Sequence, residues 1–383
     1  MKYNLAIDNW TNQEVNIVTK LLKQRKLTLG DNVYNFEKEF AKFHSTKYAV
    51  MVNSGSSANH LIFSALMLSS KFNLKEGDEV IVPSLGWSTT YSPLFFHNLK
   101  IKLIDIDLNN LNIDSDLIEK NITLKTKAIF LVNALGNPNK FDKIRKIAKK
   151  NKIFIIEDNC EAFGASFNDK LTGSFGIMSS FSFYYSHHLT TIEGGMILTD
   201  NKDLYNILLS IRSHGWTRHL QNINDSEYKK FKNSFDFIYP GYNFRPMEIS
   251  GAIGLIQLKK ANSIIKTRRN NAKYFKNLFM KQSDFIVQEE IGKSSWFNFS
   301  LIIKNTKKYP LKKTIEALNK NNIECRKVIG GDFISQKYSK FFNKNNDKFV
   351  NSKIVHQNGF MVGNYDKDLK SEINYLYKTL FNL

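Results

Sequence analysis

The feature that most constrains the fold of this 383-residue chain is an alternation of short apolar runs with amphipathic segments. Most of the runs are continuously apolar and rich in β-branched residues, which is typical of strands buried on both faces. They lie at 48–52, 79–83, 101–107, 127–133, 153–158, 180–185 and 194–200. Amphipathic helix patterns such as FDKIRKIAKK separate them. This alternation predicts an α/β domain with a mostly parallel sheet.

The pattern changes near residue 245. A long helical periodicity follows in MEISGAIGLIQLKKANSIIKTRRNNAKYFKNLF, and after it come the strand-like segments WFNFSLII and ECRKV. A chain of this length exceeds the usual size of a single domain. We therefore predict a large α/β domain over 1–250, and a linking helix with a smaller α+β C-terminal domain over 251–383.

The formal net charge of +20 raises nucleic acid as a partner, but the lysines are dispersed and form no single basic arm. A solvated surface, or attraction of a small anionic substrate, explains the charge better. Cys160 and Cys325 are far apart and fit no CxxC pattern, so we expect no disulfide framework, iron–sulfur cluster or other metal site. With no apolar run near membrane-spanning length and no signal-like N-terminus, we expect a cytoplasmic protein that is not associated with a membrane.

Candidate functional residues follow the predicted strands, where ligands bind in open parallel sheets. The turn NSGSSANH (53–60) can present backbone N–H groups to an anion, or it can be only a serine-rich helix cap. Trp87 can stack on a flat ring or pack like any other tryptophan. Asp158 ends a buried strand, where it can pair with a protonated pyridine nitrogen or simply cap a helix.

The segment SFYYSHHLTTIEGG (182–195) bears on the choice between these ligand-binding and packing roles. A strand, a serine, and a histidine or lysine ahead of a Gly-Gly turn mark the place where vitamin-B6 enzymes carry their Schiff-base lysine. No lysine occurs between Lys170 and Lys202, and His187 stands at that place.

Together these motifs resemble the sugar aminotransferases of the DegT/DnrJ/EryC1/StrS family, which are fold-type-I, aspartate aminotransferase-like enzymes that use pyridoxal phosphate (PLP). The family pattern SF-x-x-x-K-x-x-x-x-x-EGG reads here Ser182-Phe183, His187 and Glu193-Gly194-Gly195, so that His187 rather than His188 takes the lysine position. A histidine at this position resembles the sugar 3-dehydratases of the family. Because the chain has two cysteines, it resembles those without a [2Fe–2S] cluster.

The resemblance implies roles for individual residues. Asn243 would reach the phosphate of the neighbouring subunit's cofactor, which implies a homodimer with shared active sites. Glu161 would approach the cofactor oxygen or the substrate. The remaining cofactor contacts would be Gly55, Ser56, Ser57 and Ser182 at the phosphate, Trp87 on the pyridine ring and Asp158 at its nitrogen.

The implied reaction is removal of the C3 hydroxyl from a nucleotide-linked, GDP-type 4-keto-6-deoxy hexose or heptose, for surface polysaccharide synthesis. Glutamate would regenerate pyridoxamine phosphate (PMP), PLP and PMP would be bound non-covalently, and His187 would act as acid and base. A nucleotide-sugar 4-aminotransferase and a non-catalytic PLP-binding relative are the alternatives. The candidate substrate contacts, each of which can instead be a packing or surface residue, are His188, His214, Arg218, Arg245 and Arg326.

Overall fold

The computed structural model describes residues 1–220, 235–342 and 349–383. Within these ranges, seven strands form one sheet, and two further strands form a hairpin that stands apart from it. In chain order the strands are β1 (Tyr48–Val52), β2 (Glu79–Pro83), β3 (Lys100–Ile104), β4 (Thr126–Val132), β5 (Phe154–Asp158), β6 (Ser166–Phe167), β7 (Lys170–Leu171), β8 (Met178–Ser182) and β9 (Gly195–Thr199).

The large sheet is mixed but mostly parallel, as the sequence predicts. Its strand order is β1-β9-β8-β5-β4-β2-β3, and the pairs from β8 through β5, β4 and β2 to β3 are all parallel. Strand β9 runs antiparallel to both of its neighbours. The carboxyl ends of β4, β5 and β8 therefore meet at one edge of the sheet.

Two predicted strands end three residues earlier than their apolar runs. Strand β3 stops at Ile104 because the carboxylate of the next residue, Asp105, accepts hydrogen bonds from the backbone N–H groups of Asn351 and Ser352, at 2.8 and 2.9 Å. Strand β8 stops at Ser182, where the chain enters the turn that carries the two histidines.

Helices cover the sheet as an α/β fold requires. The first seven are α1 (Asn12–Gln24), α2 (Asp31–Phe43), α3 (Gly55–Leu68), α4 (Ser88–Phe96), α5 (Ser115–Ile118), α6 (Phe141–Asn151) and α7 (Lys202–Ile211). Short 3-10 turns lie at Glu119–Asn121, Ala134–Gly136, Thr217–His219 and Lys337–Phe341. No helix in the described ranges is long and apolar enough to cross a membrane.

Helix α8 (Glu248–Phe279) joins the large sheet to a second core. Ala261 and Ile264 pack against the aromatic cluster of α2, whereas Phe275 and Phe279, farther along the same helix, belong to the core of the C-terminal region. The predicted boundary between residues 250 and 251 falls in the first turn of this helix. The division into domains at that point stays a prediction.

The C-terminal region contains a four-stranded antiparallel sheet with the order β10-β11-β13-β12. Its strands are β10 (Phe285–Val287), β11 (Asn298–Ile303), β12 (Cys325–Lys327) and β13 (Gly359–Gly363). The helices that accompany them are α9 (Leu311–Lys320), α10 (Val350–Asn358) and α11 (Lys370–Phe381).

Candidate active site

A cavity of about 290 Å³ lies at the carboxyl ends of β4, β5 and β8, beside the first turn of α3. Residues from the C-terminal region, Phe297, Arg326 and Ile329, complete its wall. Eight of the predicted site residues line this one cavity: Gly55, Ser56, Trp87, Asp158, Glu161, Ser182, His187 and Arg326.

The turn before α3 is shaped to accept an anion. Ser54 caps the helix, and its hydroxyl accepts a hydrogen bond from the backbone N–H of Ser57 at 3.0 Å. Ser57 is therefore used in the cap and does not line the cavity. A Cβ atom on Gly55 would lie 2.6 Å from the Cβ atom of Ser182, so only glycine lets the turn approach β8 this closely. The N–H groups of a helix start and its dipole favour a negative charge.

Asp158 is a buried carboxylate at the end of β5 and 6% exposed. Its Oδ2 accepts hydrogen bonds from the Asn59 amide at 3.0 Å and the Thr90 hydroxyl at 2.9 Å, and its Oδ1 accepts one from the backbone N–H of Cys160 at 3.2 Å. These three hydrogen bonds fix the orientation of the carboxylate. A fixed anion of this kind suits a cationic ring nitrogen.

Trp87 is 49% exposed and presents its ring at the cavity wall, just before α4. The Arg326 guanidinium lies 5.8 Å from the centre of that ring, within the range of a cation–π contact. The Nε atom of Arg326 is buried and has no hydrogen-bond partner among the described residues. This cation therefore has a donor left for a ligand.

Glu161 also lines the cavity, and it is held by an unusual backbone turn. Its Oε2 accepts a hydrogen bond from the N–H of Leu135 at 2.9 Å, and Leu135 has a left-handed φ of 53°. Burial raises the pKa of Glu161 to about 7, partly opposed by that hydrogen bond and by the charge of Arg326. The carboxyl group can thus hold or release a proton near neutral pH.

His187 follows β8 in a turn in which its backbone N–H donates to the carbonyl of Tyr184 at 2.9 Å. Its imidazole stacks on the ring of Phe297, with centroids 5.0 Å apart and planes 30° from parallel. Burial, together with the charges of Arg268 and Arg326, lowers the pKa of His187 to about 3, although the nearby Cys160 carbonyl acts in the opposite direction. The imidazole is therefore neutral and can accept a proton.

His188 is fully buried and is not among the residues that line the cavity. Its Nε2 lies 3.1 Å from the carbonyl of Ser295, and its own carbonyl accepts a hydrogen bond from the Asn9 amide at 3.2 Å. Burial, with the charge of Arg268, lowers the pKa of His188 well below its usual value. This position matches a packing role, and a substrate role for His188 stays a prediction.

Four other predicted residues lie outside the cavity wall. Asn243, His214 and Arg218 are exposed and Arg245 is half-buried. Arg218 stacks over Trp216 at 5.1 Å, and the backbone N–H of His214 donates to the carbonyl of Tyr242 at 2.7 Å. Their roles in substrate or partner-cofactor binding stay predictions.

Sequence reasoning missed the residues that position the predicted ones. Asn59 lies in the quoted turn after β1 and Thr90 lies three residues after Trp87, but their contact with Asp158 is visible only in three dimensions. Phe297 comes from the C-terminal region and carries no motif, so nothing in the sequence ties it to His187. Within the described ranges, no group of His, Cys, Asp and Glu has the arrangement of a metal site.

Comparison with known proteins identifies the family. The model of the DegT/DnrJ/EryC1/StrS aminotransferase family matches residues 8–380. The chain belongs to the DegT/DnrJ/EryC1/StrS aminotransferase family. The resemblance noted in the sequence is thereby confirmed.

Within the DegT/DnrJ/EryC1/StrS family, a GDP-4-keto-6-deoxy-D-mannose 3-dehydratase from Escherichia coli O55:H7 is 46% identical, with 99% of this chain and 100% of that protein covered. A solved structure of the E. coli enzyme with bound hydrated PLP has a TM-score of 0.94 at 44% identity, and covers 99% of each chain. A structure of GDP-4-keto-6-deoxymannose-3-dehydratase with a trapped PLP–glutamate geminal diamine also has a TM-score of 0.94 at 44% identity, and covers 99% of this chain and all of that one. The predicted aspartate aminotransferase-like α/β fold is confirmed.

The residues of this cavity fit the family's cofactor. The glycine-containing turn before α3 suits a phosphate, and the fixed Asp158 carboxylate suits a pyridine nitrogen. The exposed ring of Trp87 offers a stacking surface. The buried Nδ1 of His187 makes no hydrogen bond within the described part of the chain, so the protein alone leaves that atom unsatisfied.

Proposed function

We propose that this protein is a PLP/PMP-dependent dehydratase that removes the C3 hydroxyl of a GDP-linked 4-keto-6-deoxy sugar. One observation carries the proposal: the cavity presents the His187 imidazole, and the described residues that line it include no lysine. An enzyme of this family without a lysine amine cannot anchor PLP covalently, so the chain must hold the cofactor through its phosphate, ring and Asp158 contacts.

The named relatives support the substrate class. The 3-dehydratase at 46% identity spans the full length of both chains, and the structures bound to PLP match at a TM-score of 0.94. The PLP–glutamate adduct in a related structure supports glutamate as the amine donor. The dideoxy sugar produced would serve surface polysaccharide synthesis.

When bound, PMP supplies an amine that captures the C4 ketone and a ring that accepts electrons. The protein's own residues bind the cofactor and transfer protons to and from the reacting atoms. Asp158 holds the ring nitrogen protonated, and the turn before α3 holds the phosphate. His187 accepts a proton and returns one to the departing C3 hydroxyl. Arg326 offers a donor to an anionic part of the substrate.

The proposal includes a homodimer in the cytoplasm. Asn243 is exposed on the segment whose Phe244 carbonyl accepts a hydrogen bond from Asn53 at 3.0 Å, just before the phosphate turn. An exposed amide beside this turn is available to a neighbouring subunit. Cys160 and Cys325 are both free thiols, which suits a reducing compartment.

The decisive experiment incubates the protein with PLP, glutamate and either GDP-4-keto-6-deoxymannose or its heptose counterpart, and follows product mass. We expect a 4-keto product that has lost the C3 oxygen, together with released ammonia. An amino sugar that retains the C3 hydroxyl would establish the aminotransferase instead. A protein that binds PLP but converts neither sugar would be the non-catalytic relative. The sugar turned over with the higher kcat/KM decides between hexose and heptose.

A further inference from the structure

Phe297 makes the closest ring contact that His187 has with another aromatic residue in the described ranges. The two rings lie nearly parallel with centroids 5.0 Å apart, whereas the Tyr184 ring is 6.4 Å away and edge-on. Phe297 is 1% exposed and lines the cavity together with His187. One face of the imidazole is thus covered by an apolar ring.

The backbone of Phe297 is held on both sides. Its N–H donates to the carbonyl of Leu135 at 2.9 Å, and its carbonyl accepts a hydrogen bond from Nη1 of the buried Arg268 at 2.9 Å. Arg268 Nη1 also donates to the carbonyl of Asn364. A ring anchored through three separate segments has little freedom to move.

Two bulky residues beside this contact adopt left-handed backbone conformations. Trp296 has a φ of 50° and Leu135 a φ of 53°. Such conformations are unfavourable for a residue with a side chain, and they cluster where backbone geometry serves a site. One of these residues, Trp296, immediately precedes Phe297. The other, Leu135, provides the carbonyl to which the Phe297 N–H donates.

Aromatic stacking fixes the plane of a ring, and an apolar cover keeps water from it. The backbone of Cys160 forms a hydrogen bond with the imidazole, but the buried Nδ1 makes none within the described residues, so the stacking on Phe297 adds a second constraint on the plane of the ring. The charged groups that act on His187 are Arg268 on α8 and Arg326 on β12, and His188 packs on Phe297 at 5.9 Å.

We propose that Phe297 is a positioning residue: its ring holds the His187 imidazole in the plane needed for proton transfer and shields that face from water. This inference rests on the proposed function for its catalytic consequence, but the ring contact and the shielding do not depend on it. When a proton-transfer group is displaced or hydrated, the rate of the chemical step falls far more than the affinity for substrate.

The test compares three variants of the full chain. Phe297→Leu removes the ring, and Phe297→Tyr restores it. Phe299→Leu is the matched control, because Phe299, two residues later and within β11, is also buried but stacks on Phe275 in the C-terminal core. Chemical denaturation of each variant measures the loss of stability that Phe299→Leu and Phe297→Leu share.

The first readout is the NMR titration of ¹⁵N-labelled histidine in the cofactor-free protein, with His187 assigned from a His187→Gln variant. We expect no His187 titration between about pH 5 and 8 in the parent protein. We expect a titration in that range for Phe297→Leu, but not for Phe297→Tyr or Phe299→Leu. A His187 signal that titrates alike in the parent and Phe297→Leu proteins would overturn the proposal, whether or not the protein is a dehydratase.

The second readout is steady-state dehydration. Phe297→Leu should lower kcat about tenfold with KM changed less than about twofold, the size expected for one aromatic stacking contact. Phe297→Tyr should recover most of that loss, and Phe299→Leu should show little of it. An equal loss of kcat in Phe299→Leu would assign the effect to the core and refute positioning. Failure of the parent protein to dehydrate any sugar refutes the proposed function and leaves the titration as the test of the contact.

Discussion

The Thr90 hydroxyl donates a hydrogen bond to Oδ2 of Asp158 at 2.9 Å, and both side chains line the cavity. Thr90 thereby orients the carboxylate proposed to pair with the cofactor's ring nitrogen. Thr90→Val should weaken PMP binding about tenfold, since hydrogen bonds to charged groups contribute about 1.5–3 kcal/mol. Fluorescence titration of the cofactor-free protein measures the affinity. Thr90→Ser keeps the hydroxyl and should bind as the parent does; equal weakening of both variants would contradict the prediction.

Replacing His187 should separate proton transfer from cofactor binding. His187→Asn should lower kcat about 10²- to 10⁴-fold, the usual contribution of a general acid–base group, while PMP affinity changes little. His187→Lys restores an amine that can bond to PLP, so borohydride reduction should leave a covalent adduct detectable by mass. A His187→Lys protein that remained fully active as a dehydratase would rule out the proposed role.

His188 should make the protein less stable in acid. Burial lowers its folded-state pKa well below the value of about 6.5 expected in the unfolded chain, so the unfolded state binds more protons between these values. Stability is therefore present above about pH 6.5 and is lost as the pH falls, by up to about 1.4 kcal/mol per pH unit for one group. His188→Asn should show a shallower loss in urea denaturation between neutral and mildly acidic pH. Identical slopes would show that His188 carries no such penalty.

Glu248 stabilises a helix from outside it. Its carboxylate accepts hydrogen bonds from the backbone N–H and side-chain amide of Asn32, both at 2.7 Å, and from the N–H of Val33 at 3.3 Å, so it caps α2 although it belongs to α8. Glu248→Ala should lower the free energy of unfolding by about 2 kcal/mol, at the upper end for a helix cap. Glu316→Ala, on the exposed face of α9, is the control and should change it by less than about 0.5 kcal/mol.

Asn243 gives a test of shared active sites. Asn243→Asp would repel a phosphate, and His187→Asn removes the acid–base group, so each variant alone should be nearly inactive. If Asn243 acts across the interface, mixed dimers of the two variants contain one intact site, and random mixing should restore about a quarter of the parent activity. Activity that stays at background after subunit exchange, verified by mass, would place Asn243 in its own subunit's site, whereas an Asn243→Asp protein that is active by itself would place it in no site.

The sequence predicted the sheet well because its strands are buried on both faces and read as unbroken apolar runs. The bounds of β1 and β2 agree with the predicted runs to the residue. Strand β3 is overextended in the prediction because Asp105 is diverted to cap α10, a contact with residues more than 240 positions away. No local pattern reports such a contact.

In the active site too, local motifs could be predicted from the sequence and long-range contacts could not. His187, Asp158 and the turn at Gly55 occur in motifs with fixed spacing, so they could be found in the sequence. Asn59 lies in the turn at Gly55 and Thr90 lies close to Trp87, but their hydrogen bonds to Asp158 depend on how the strands are arranged in space. Phe297 reaches His187 across 110 positions of sequence and after a left-handed Trp296, which neither propensity nor spacing indicates.

Helix α8 affects how the protein unfolds. It contributes Ile264 to the core beneath the large sheet and Phe275 to the core of the C-terminal sheet, within one unbroken run of 32 residues. Disorder in either core would remove the packing of half of this helix and so weaken its other half. We therefore expect the two cores to unfold as one cooperative unit. Ser250, at the predicted boundary, is buried, so it offers a protease no exposed hinge.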